Sequence, residues 1–337
     1  MEEDMASGDR LQIIVPCYNE EQVLQSTAAT LASVIESCIS AGLIAPSSAV
    51  LFVDDGSSDQ TWRLIEDLHA ADPQRFDGVR LSANRGHQAA LWAGLSTADA
   101  DLVVSIDADL QDDPQAIVRM IKEYDAGADV VFGLRSNRES DGWFKRSSAT
   151  LFYRLLRLLG VNIVPQHADF RLMSRPAIDA LLQYSESNLF LRALVPQLGF
   201  ATAQVSYPRT SRAAGTTKYP IGKMLGLAID GITSWSVAPL RAIGLLGLTV
   251  SAMAFLLGLW ALWAALFTHA TIPGWASIML PLLFSQGLQF IFLGLIGEYI
   301  GKIFVETKRR PKFIIRARAG TNPRSAAARA ERAEKVN

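Results

Sequence analysis

The sequence predicts an α/β fold with a mostly parallel sheet and helices on both faces, followed by an α-helical hairpin that crosses a membrane twice. Between Leu11 and Phe132, short apolar segments alternate with longer segments of helical periodicity, which is typical of parallel strands joined by helices. From residue 242 to residue 297 the chain contains no Asp, Glu, Lys or Arg, although charged residues make up 19% of the whole. The net charge of −1 therefore averages over two very different parts.

Five apolar segments are predicted to be strands, and four amphipathic segments between them are predicted to be helices. The strands are Leu11–Val15, Ala49–Val53, Val79–Leu81, Leu102–Ile106 and Val130–Phe132. The helices are Glu20–Ala41, Ser58–Ala70, Gln88–Ser96 and Pro114–Tyr124. Because ligands of such sheets gather at the carboxyl ends of the strands, the loops that follow the strands are the expected site.

Two apolar runs, about 240–267 and 278–301, are each long enough to cross a bilayer, which takes about 20 residues. Pro273 and Gly274 suit a short turn between them. Basic residues flank the pair of runs and the connecting loop has none, so both termini are expected in the cytoplasm. A hairpin buried in a protein core is the alternative. Glycines of the second run would support a homo-oligomer: Gly287, Gly294, Gly297 and Gly301.

These patterns predict five consecutive regions. They are a flexible N-terminus (1–9), the cytosolic α/β domain (10–218), an interfacial amphipathic helix (219–238), the transmembrane hairpin (239–304) and a basic cytosolic tail (305–337). The acidic N-terminus has no apolar core, so no signal peptide is expected. From Ala317 onward, a composition rich in Ala, Arg and Glu favours disorder or marginal helix. Cys17 and Cys38 are expected to stay reduced.

Paired carboxylates, Asp107 and Asp109, end the apolar segment of DLVVSIDADLQDD. Side chains two apart on an extended segment share a face, so both carboxylates can converge on one ligand. Such hard oxygen ligands suit Mg²⁺ or Mn²⁺ and would leave coordination positions open for substrate phosphates. A metal-bound diphosphate is the hypothesis, and a solvated acidic turn is the alternative.

A second polar segment, DDGSSDQ, follows the second predicted strand. Ser57 and Gln60 resemble a capping box at the start of a helix, and Asp59 suits the first helical turn. Capping gives no reason for Asp54 and Asp55. These two carboxylates are therefore further candidates for a binding site.

The motifs VPCYNEE, FVDDGSSDQT and SIDADLQDDP occur in this order, and through them the chain resembles family 2 glycosyltransferases of the GT-A fold. The resemblance covers roughly residues 10–220 and includes LSANRGH, VFGLR, ADFRL and RAAGTTK. Two crossings that end in GEYIGK resemble the polyprenyl-phosphate branch, which includes bactoprenol glucosyltransferases and dolichol-phosphate mannose synthases.

The resemblance implies roles for the matched positions. Nucleotide-binding residues would be Pro16, Tyr18, Asn19, Glu20, Asp54, Asp55, Asn84 and Ala108. Asp107, Asp109 and Gln111 would hold Mg²⁺ or Mn²⁺ beneath the diphosphate. Phosphate-binding residues would be Arg135, Arg212 and Lys218, with Arg146 at the acceptor phosphate and Asp169 orienting or deprotonating the acceptor.

Some of these roles have structural alternatives. Asp169 would instead form an ion pair with Arg171 or Arg175, and the basic residues would be solvated charges near a membrane. His87 would hydrogen-bond the substrate or serve no special purpose at the start of its helix. Two further segments are predicted to be interfacial helices, 148–160 because basic residues accompany its apolar face and 219–235 because it has an apolar stripe. The alternative is that both are core helices.

The activity implied by the resemblance is an inverting, metal-dependent transfer of sugar from a nucleotide sugar to a membrane polyprenyl phosphate such as undecaprenyl or dolichyl phosphate. UDP-glucose is the favoured donor, with mannose, N-acetylglucosamine or modified arabinose as alternative sugars. The expected location is the cytosolic face of a bacterial inner membrane. A processive polysaccharide synthase is less favoured because the chain lacks a Gln-x-x-Arg-Trp motif. The alternative of another class is a non-catalytic membrane scaffold, and no nucleic-acid partner is expected.

Overall fold

The computed structural model describes residues 8–135, 167–186, 190–208, 238–267 and 275–320. The chain divides into two compact units. The first unit comprises residues 1–149, 162–216 and 310–337, and the second comprises 150–161 and 217–309.

A mixed sheet of eight strands forms the centre of the first unit in the residues that the structure describes. Its strands are β1 (Leu11–Cys17), β2 (Ala49–Asp54), β3 (Phe76–Leu81), β4 (Leu102–Ser105), β5 (Val130–Arg135), β6 (His167–Ser174), β7 (Thr202–Tyr207) and β8 (Ile315–Arg318). Their order is β7-β5-β6-β4-β1-β2-β3-β8. The central strands β4, β1, β2 and β3 are parallel, whereas β6 and β8 run antiparallel to their neighbours.

Helices follow most of the strands. They are α1 (Leu24–Ser40), α2 (Thr61–Ala71), α3 (His87–Thr97), α4 (Ala116–Asp125), α5 (Arg175–Leu182) and α6 (Leu191–Leu194), with a 3-10 helix at Val195–Leu198. The predicted α/β class is confirmed, and all five predicted strands and four predicted helices are present with small shifts at their ends. Every residue of β1, β2 and β4 is buried, as expected for parallel strands that are covered on both faces.

The last described strand, β8, forms after the two long apolar helices. It pairs antiparallel with β3, and the backbone nitrogen of Ala319 also donates to the carbonyl of Gly78. Lys312 lies 3.7 Å above the Trp92 ring and donates a hydrogen bond to the carbonyl oxygen of Tyr184 at 3.0 Å. The prediction of a disordered or helical segment from Ala317 is therefore wrong for its first residues. Pairing along the β3 edge fixes them in the sheet.

The second unit contains two long apolar helices, α7 (Ala238–Phe267) and α8 (Trp275–Thr307). Within them, 243–260 and 284–307 are candidate membrane spans with mean hydropathies of 2.0 and 1.6. Neither stretch is buried inside the protein, so the alternative of a buried core hairpin is not supported. The glycines of α8 have open space around them, and a homo-oligomer stays a prediction.

Candidate active site

Hydrogen bonds join the loop after β1 to the loop after β2. The Asn19 backbone nitrogen donates to Ser57 Oγ, and the Ser58 backbone nitrogen donates to Asn19 Oδ1, both at 2.9 Å. The predicted capping box is wrong, because α2 begins after Gln60 without a side-chain cap and Ser57 serves the neighbouring loop. Tyr18 stands beside this junction with 46% of its surface exposed, and it is the aromatic side chain that this loop presents to solvent.

Two carboxylates after β2 stabilise loops from within. Asp54 is fully buried, accepts a hydrogen bond from the Ser57 backbone nitrogen at 3.0 Å and lies 3.1 Å from Arg80 Nε. Asp55 accepts from the backbone nitrogens of Arg85 at 2.7 Å and Gly86 at 2.8 Å. Burial raises the pKa of Asp55 despite these hydrogen bonds. With no exposed surface, Asp54 supports the site and does not contact a ligand in this arrangement.

The other predicted nucleotide-binding residues differ in their exposure. Pro16 is buried in β1, and Ala108 is buried with its carbonyl accepting a hydrogen bond from Thr27 Oγ1 at 2.6 Å. Asn84 is exposed, and its Oδ1 accepts from the Gly86 backbone nitrogen at 3.1 Å. Glu20 is partly exposed, and its pKa is raised by burial and by the negative charges of Asp109, Asp59 and Asp107.

Asp107 and Asp109 lie in a turn directly after β4. The strand ends at Ser105, and the Leu110 backbone nitrogen donates to the Asp107 carbonyl at 3.3 Å. The prediction that both residues share a face of an extended strand is therefore wrong, although the turn still places them together at the carboxyl end of the sheet. Gln111 Nε2 donates to Asp109 Oδ2 at 2.5 Å, so its amide orients that carboxylate.

The negative charge of this turn suits a divalent cation. Burial raises the pKa of Asp107, as do the charges of Asp112, Asp169 and Asp109, while His87 acts in the opposite direction. Among the described residues, no three His, Cys, Asp or Glu side chains come together as a metal site. Two carboxylates with remaining positions open to phosphate and water fit Mg²⁺ or Mn²⁺ better than a site closed by protein ligands.

Asp169, on β6, is surrounded by cationic and amide side chains. Its carboxylate accepts from Arg171 Nη2 at 2.7 Å, from Gln88 Nε2 at 3.1 Å, and from Nε and Nη2 of Arg192 at 3.3 Å each. His87 Nε2 lies 3.4 Å from Asp169 Oδ2 and 3.7 Å from Asp107 Oδ1. These side chains form the Asp169 cluster, which consists of Asp169, Arg171, Arg192, His87 and Gln88.

The Asp169 cluster holds its carboxylate in the ionised form. Burial acts to raise the pKa of Asp169, but the hydrogen bond from His87 and the charges of Arg171 and Arg192 outweigh it, so the pKa lies well below its usual range. A carboxylate with such a low proton affinity is a weak general base. Two roles were predicted for Asp169. Orienting the acceptor suits this environment, whereas removing a proton from the acceptor does not. The alternative pairing with Arg171 is present, whereas Arg175 instead pairs with Asp179.

Arg135, predicted to bind phosphate, is engaged by a buried carboxylate. Its Nε and Nη2 atoms donate to the two oxygens of Asp112 at 2.8 and 3.0 Å, and the Tyr207 hydroxyl donates to the same carboxylate at 2.8 Å. Burial opposes the charge on Arg135, but Asp112 raises the pKa of the guanidinium above its ordinary value. A bidentate contact with phosphate would compete with this pair. Arg146, Arg212 and Lys218 lie outside the described residues.

Sequence reasoning missed Gln88 and Arg192 and gave His87 no definite role. Gln88 Oε1 accepts a hydrogen bond from the Leu191 backbone nitrogen at 3.2 Å, so it joins the start of α3 to the start of α6. The one sequence signal was the LSANRGH motif, which places His87 at the beginning of a helix. Nothing in the local sequence around Arg192 indicated a partner.

Replacing Asp169 with Asn is expected to destabilise the protein as well as the site. Arg171 is 2% exposed, and removing the charge of its tightest partner leaves a buried cation poorly compensated. Such changes cost about 3–5 kcal/mol. Urea unfolding of the purified protein should show this loss. The matched Asp113→Asn variant loses the charge of a 3.8 Å pair with Arg119 but keeps an oxygen that can accept from the Gln115 backbone nitrogen, so it should unfold like the wild type. An unchanged midpoint for Asp169→Asn would contradict the structural role of the pair.

Comparison with known proteins identifies one family and several relatives. The family described as "Glycosyl transferase family 2" matches residues 12–182. The chain is 48% identical over 307 residues to "Uncharacterized glycosyltransferase YkoT" of Bacillus subtilis (strain 168), which covers 90% of each chain. It is 36% identical over 308 residues to "Prophage bactoprenol glucosyl transferase homolog" of Escherichia coli (strain K12), covering 91% of this chain and 98% of that protein.

Among solved structures, glucosyl-3-phosphoglycerate synthase from Mycobacterium tuberculosis in complex with Mn²⁺ and UDP aligns with a TM-score of 0.46 and 18% identity. The alignment covers 67% of this chain and 78% of that one. The family match spans half of the chain, and the two relatives are similar over at least nine-tenths of it. The chain belongs to glycosyl transferase family 2.

Proposed function

We propose that the protein transfers a sugar from a nucleotide sugar to a membrane polyprenyl phosphate. The observation that carries this proposal is that the acidic turn with Asp107 and Asp109 adjoins the cationic Asp169 cluster, through His87, which lies within 4 Å of both Asp107 and Asp169. One end of this arrangement suits a metal-bound diphosphate, and the other suits an anionic acceptor. Relatives named bactoprenol glucosyl transferase support a polyprenyl phosphate as that acceptor.

The donor would lie over the loops after β1, β2 and β4. Tyr18 offers an exposed aromatic face for a base, and Glu20 offers a carboxylate for ribose hydroxyls. Asp107 and Asp109, with Gln111 orienting Asp109, would hold Mg²⁺ or Mn²⁺. When bound, the cation neutralises charge that develops on the leaving nucleoside diphosphate. The word glucosyl in the names of these relatives supports glucose as the sugar, and UDP-glucose is the donor that we propose.

The protein's own residues would act mainly by positioning the two substrates. A phosphate monoester is already anionic near neutral pH, so the attack on the anomeric carbon, with inversion, needs no strong base. The low pKa of Asp169 agrees with this requirement. Asp169 would hold Arg192 and His87 in place, and alignment of the two substrates would supply much of the rate.

Location at the membrane follows from the acceptor. A polyprenyl tail stays in the bilayer, and α7 and α8 contain two candidate spans that would keep the site at the same surface. The basic residues at both ends of the hairpin favour the cytosolic face of the membrane, which would be a bacterial inner membrane.

The proposal is tested by incubating membranes that contain the protein with polyprenyl phosphate and a panel of radiolabelled nucleotide sugars. Label from one sugar, with UDP-glucose as the expected donor, should enter the organic phase as polyprenyl-phosphate sugar. Membranes with the Asp109→Asn variant are the matched control and should give only background label. Absence of organic-phase label from every sugar would overturn the proposal, and label in a polymer would favour a polysaccharide synthase.

A further inference from the structure

Arg192 lies at the open side of the Asp169 cluster. Its side chain is 41% exposed, whereas Asp169 is 7% exposed and Arg171 is 2% exposed. Arg171 Nη2 approaches Asp169 to 2.7 Å, but the two contacts from Arg192 are longer, at 3.3 Å each. Arg171 is therefore the tight, buried partner of Asp169, and Arg192 is a second cation that faces solvent.

The cluster has more positive than negative charge. Asp169 carries one negative charge, and the two guanidinium groups that share it carry two positive charges. Since Arg171 suffices to neutralise the carboxylate, the charge of Arg192 is available to an anion. Guanidinium groups are well suited to phosphate because their planar donors can form parallel hydrogen bonds to two oxygens.

Arg192 and the metal-site carboxylate Asp107 are connected through His87. His87 Nε2 lies 3.7 Å from Asp107 Oδ1 and 3.4 Å from Asp169 Oδ2, and Arg192 Nη2 lies 3.3 Å from the same Asp169 oxygen. An inverting displacement needs its nucleophile on the face of the sugar that is remote from the leaving diphosphate. Arg192, whose contacts are with Asp169, is therefore a candidate to hold that nucleophile.

Two other arginines near the site, Arg80 and Arg135, each pair with a buried carboxylate that they do not share with another described arginine, whereas Arg192 shares Asp169 with Arg171. Arg80 lies 3.1 Å from buried Asp54, and Arg135 is bound by both oxygens of buried Asp112. The Arg192 guanidinium is held by Asp169, and the backbone of the preceding residue, Leu191, is held by the hydrogen bond that Gln88 accepts. This fixed guanidinium would lose little conformational freedom on binding an anion.

We propose that Arg192 binds the phosphate group of the lipid acceptor and that Asp169 is the positioning residue that holds it there. This inference rests on the proposed function. It assigns the nucleophile a binding group on α6, a helix outside the motifs that the sequence analysis selected.

The test measures KM and kcat for acceptor and donor separately in purified, detergent-solubilised full-length protein. The acceptor is a short-chain prenyl monophosphate, and the donor is the nucleotide sugar that the wild type uses. Arg192→Gln should raise the KM for prenyl phosphate about tenfold or more, as expected for losing a charged hydrogen-bond donor, and should leave the donor KM within about twofold. Arg192→Lys, which keeps the charge, should give a smaller rise.

A matched control is Arg119→Gln on α4, since Arg119 is 51% exposed and forms only a 3.8 Å surface pair with Asp113. It should leave both KM values unchanged.

Because Arg171 still pairs with Asp169 in both Arg192 variants, their thermal unfolding midpoints should stay close to that of the wild type. If Arg192→Gln fails to fold, the Lys variant decides the question. In detergent, a change in acceptor KM reports on the phosphate of the acceptor and not on anionic lipid headgroups.

The outcomes separate this inference from the proposed function. A wild type that transfers no sugar to prenyl phosphate would overturn both. A wild type that is active, together with Arg192 variants whose acceptor KM is unchanged or whose donor KM rises equally, would overturn the role of Arg192 alone.

Discussion

Sugar transfer is expected to fall by about 100-fold or more when Asp107 or Asp109 is replaced with Asn, because a metal ion contributes several kcal/mol to stabilising a charged transition state. The two carboxylates are the described groups best placed to hold that ion. The assay is transfer to polyprenyl phosphate over a range of Mn²⁺ and Mg²⁺ concentrations. Wild-type turnover after exhaustive chelation, or full activity of either variant, would contradict the assignment.

The same variants allow folding to be separated from catalysis. Burial and three neighbouring carboxylates raise the pKa of Asp107, so its ionised form is disfavoured in the folded protein without a cation. Asp107→Asn should therefore unfold at the same temperature as the wild type or slightly higher when metal is absent. Mn²⁺ with a nucleoside diphosphate should raise the unfolding temperature of the wild type and leave that of the variant unchanged. A lower midpoint without metal would instead indicate that Asp107 is needed for folding.

The parallel centre of the sheet could be predicted from the sequence because its strands are uninterrupted apolar runs between helices. β6 could not, since it contains Asp169 and Arg171, two charged residues that look like surface residues until the fold brings them together. β8 is only four residues long and alternates Ile and Ala with Arg. It pairs with β3, which is distant from it in the sequence. Local pattern has no information about such a partner.

The candidate site was predictable to a similar degree. The residue types of Asp107, Asp109 and Gln111 indicate oxygen ligands whatever the local geometry, although the geometry proved to be a turn. Arg192 could not be found in this way, because its significance depends on contacts with a residue of β6 and with the start of α3. Asp54 shows the converse, since a motif position expected at a ligand is buried beneath the loop that it stabilises.

The position of β8 changes how the membrane hairpin must be tested. A chain that ends at Ser234 lacks the hairpin and also lacks β8, so it exposes the edge of β3 and removes the contact of Lys312 with Trp92. Its loss of activity would have two explanations. A chain in which residues 238–309 are replaced by a flexible Gly/Ser linker, about 30 residues long with a root-mean-square span of about 30 Å, retains the segment that forms β8.

The linker variant is expected to keep metal-dependent nucleotide binding and to lose nearly all transfer to polyprenyl phosphate, whereas the chain ending at Ser234 should also unfold at a lower temperature. The physical reason is that a long prenyl tail remains in the bilayer, so its phosphate reaches the site only if the protein holds that site at headgroup depth. Nucleotide binding is measured by Mn²⁺-dependent protection against thermal unfolding, and transfer by organic-phase label with long-chain and short-chain prenyl phosphates. Equal transfer to the short-chain lipid by the linker variant and the full chain would show that the hairpin is only an anchor. Loss with both lipids would show that the hairpin also presents the acceptor, which is the result we expect.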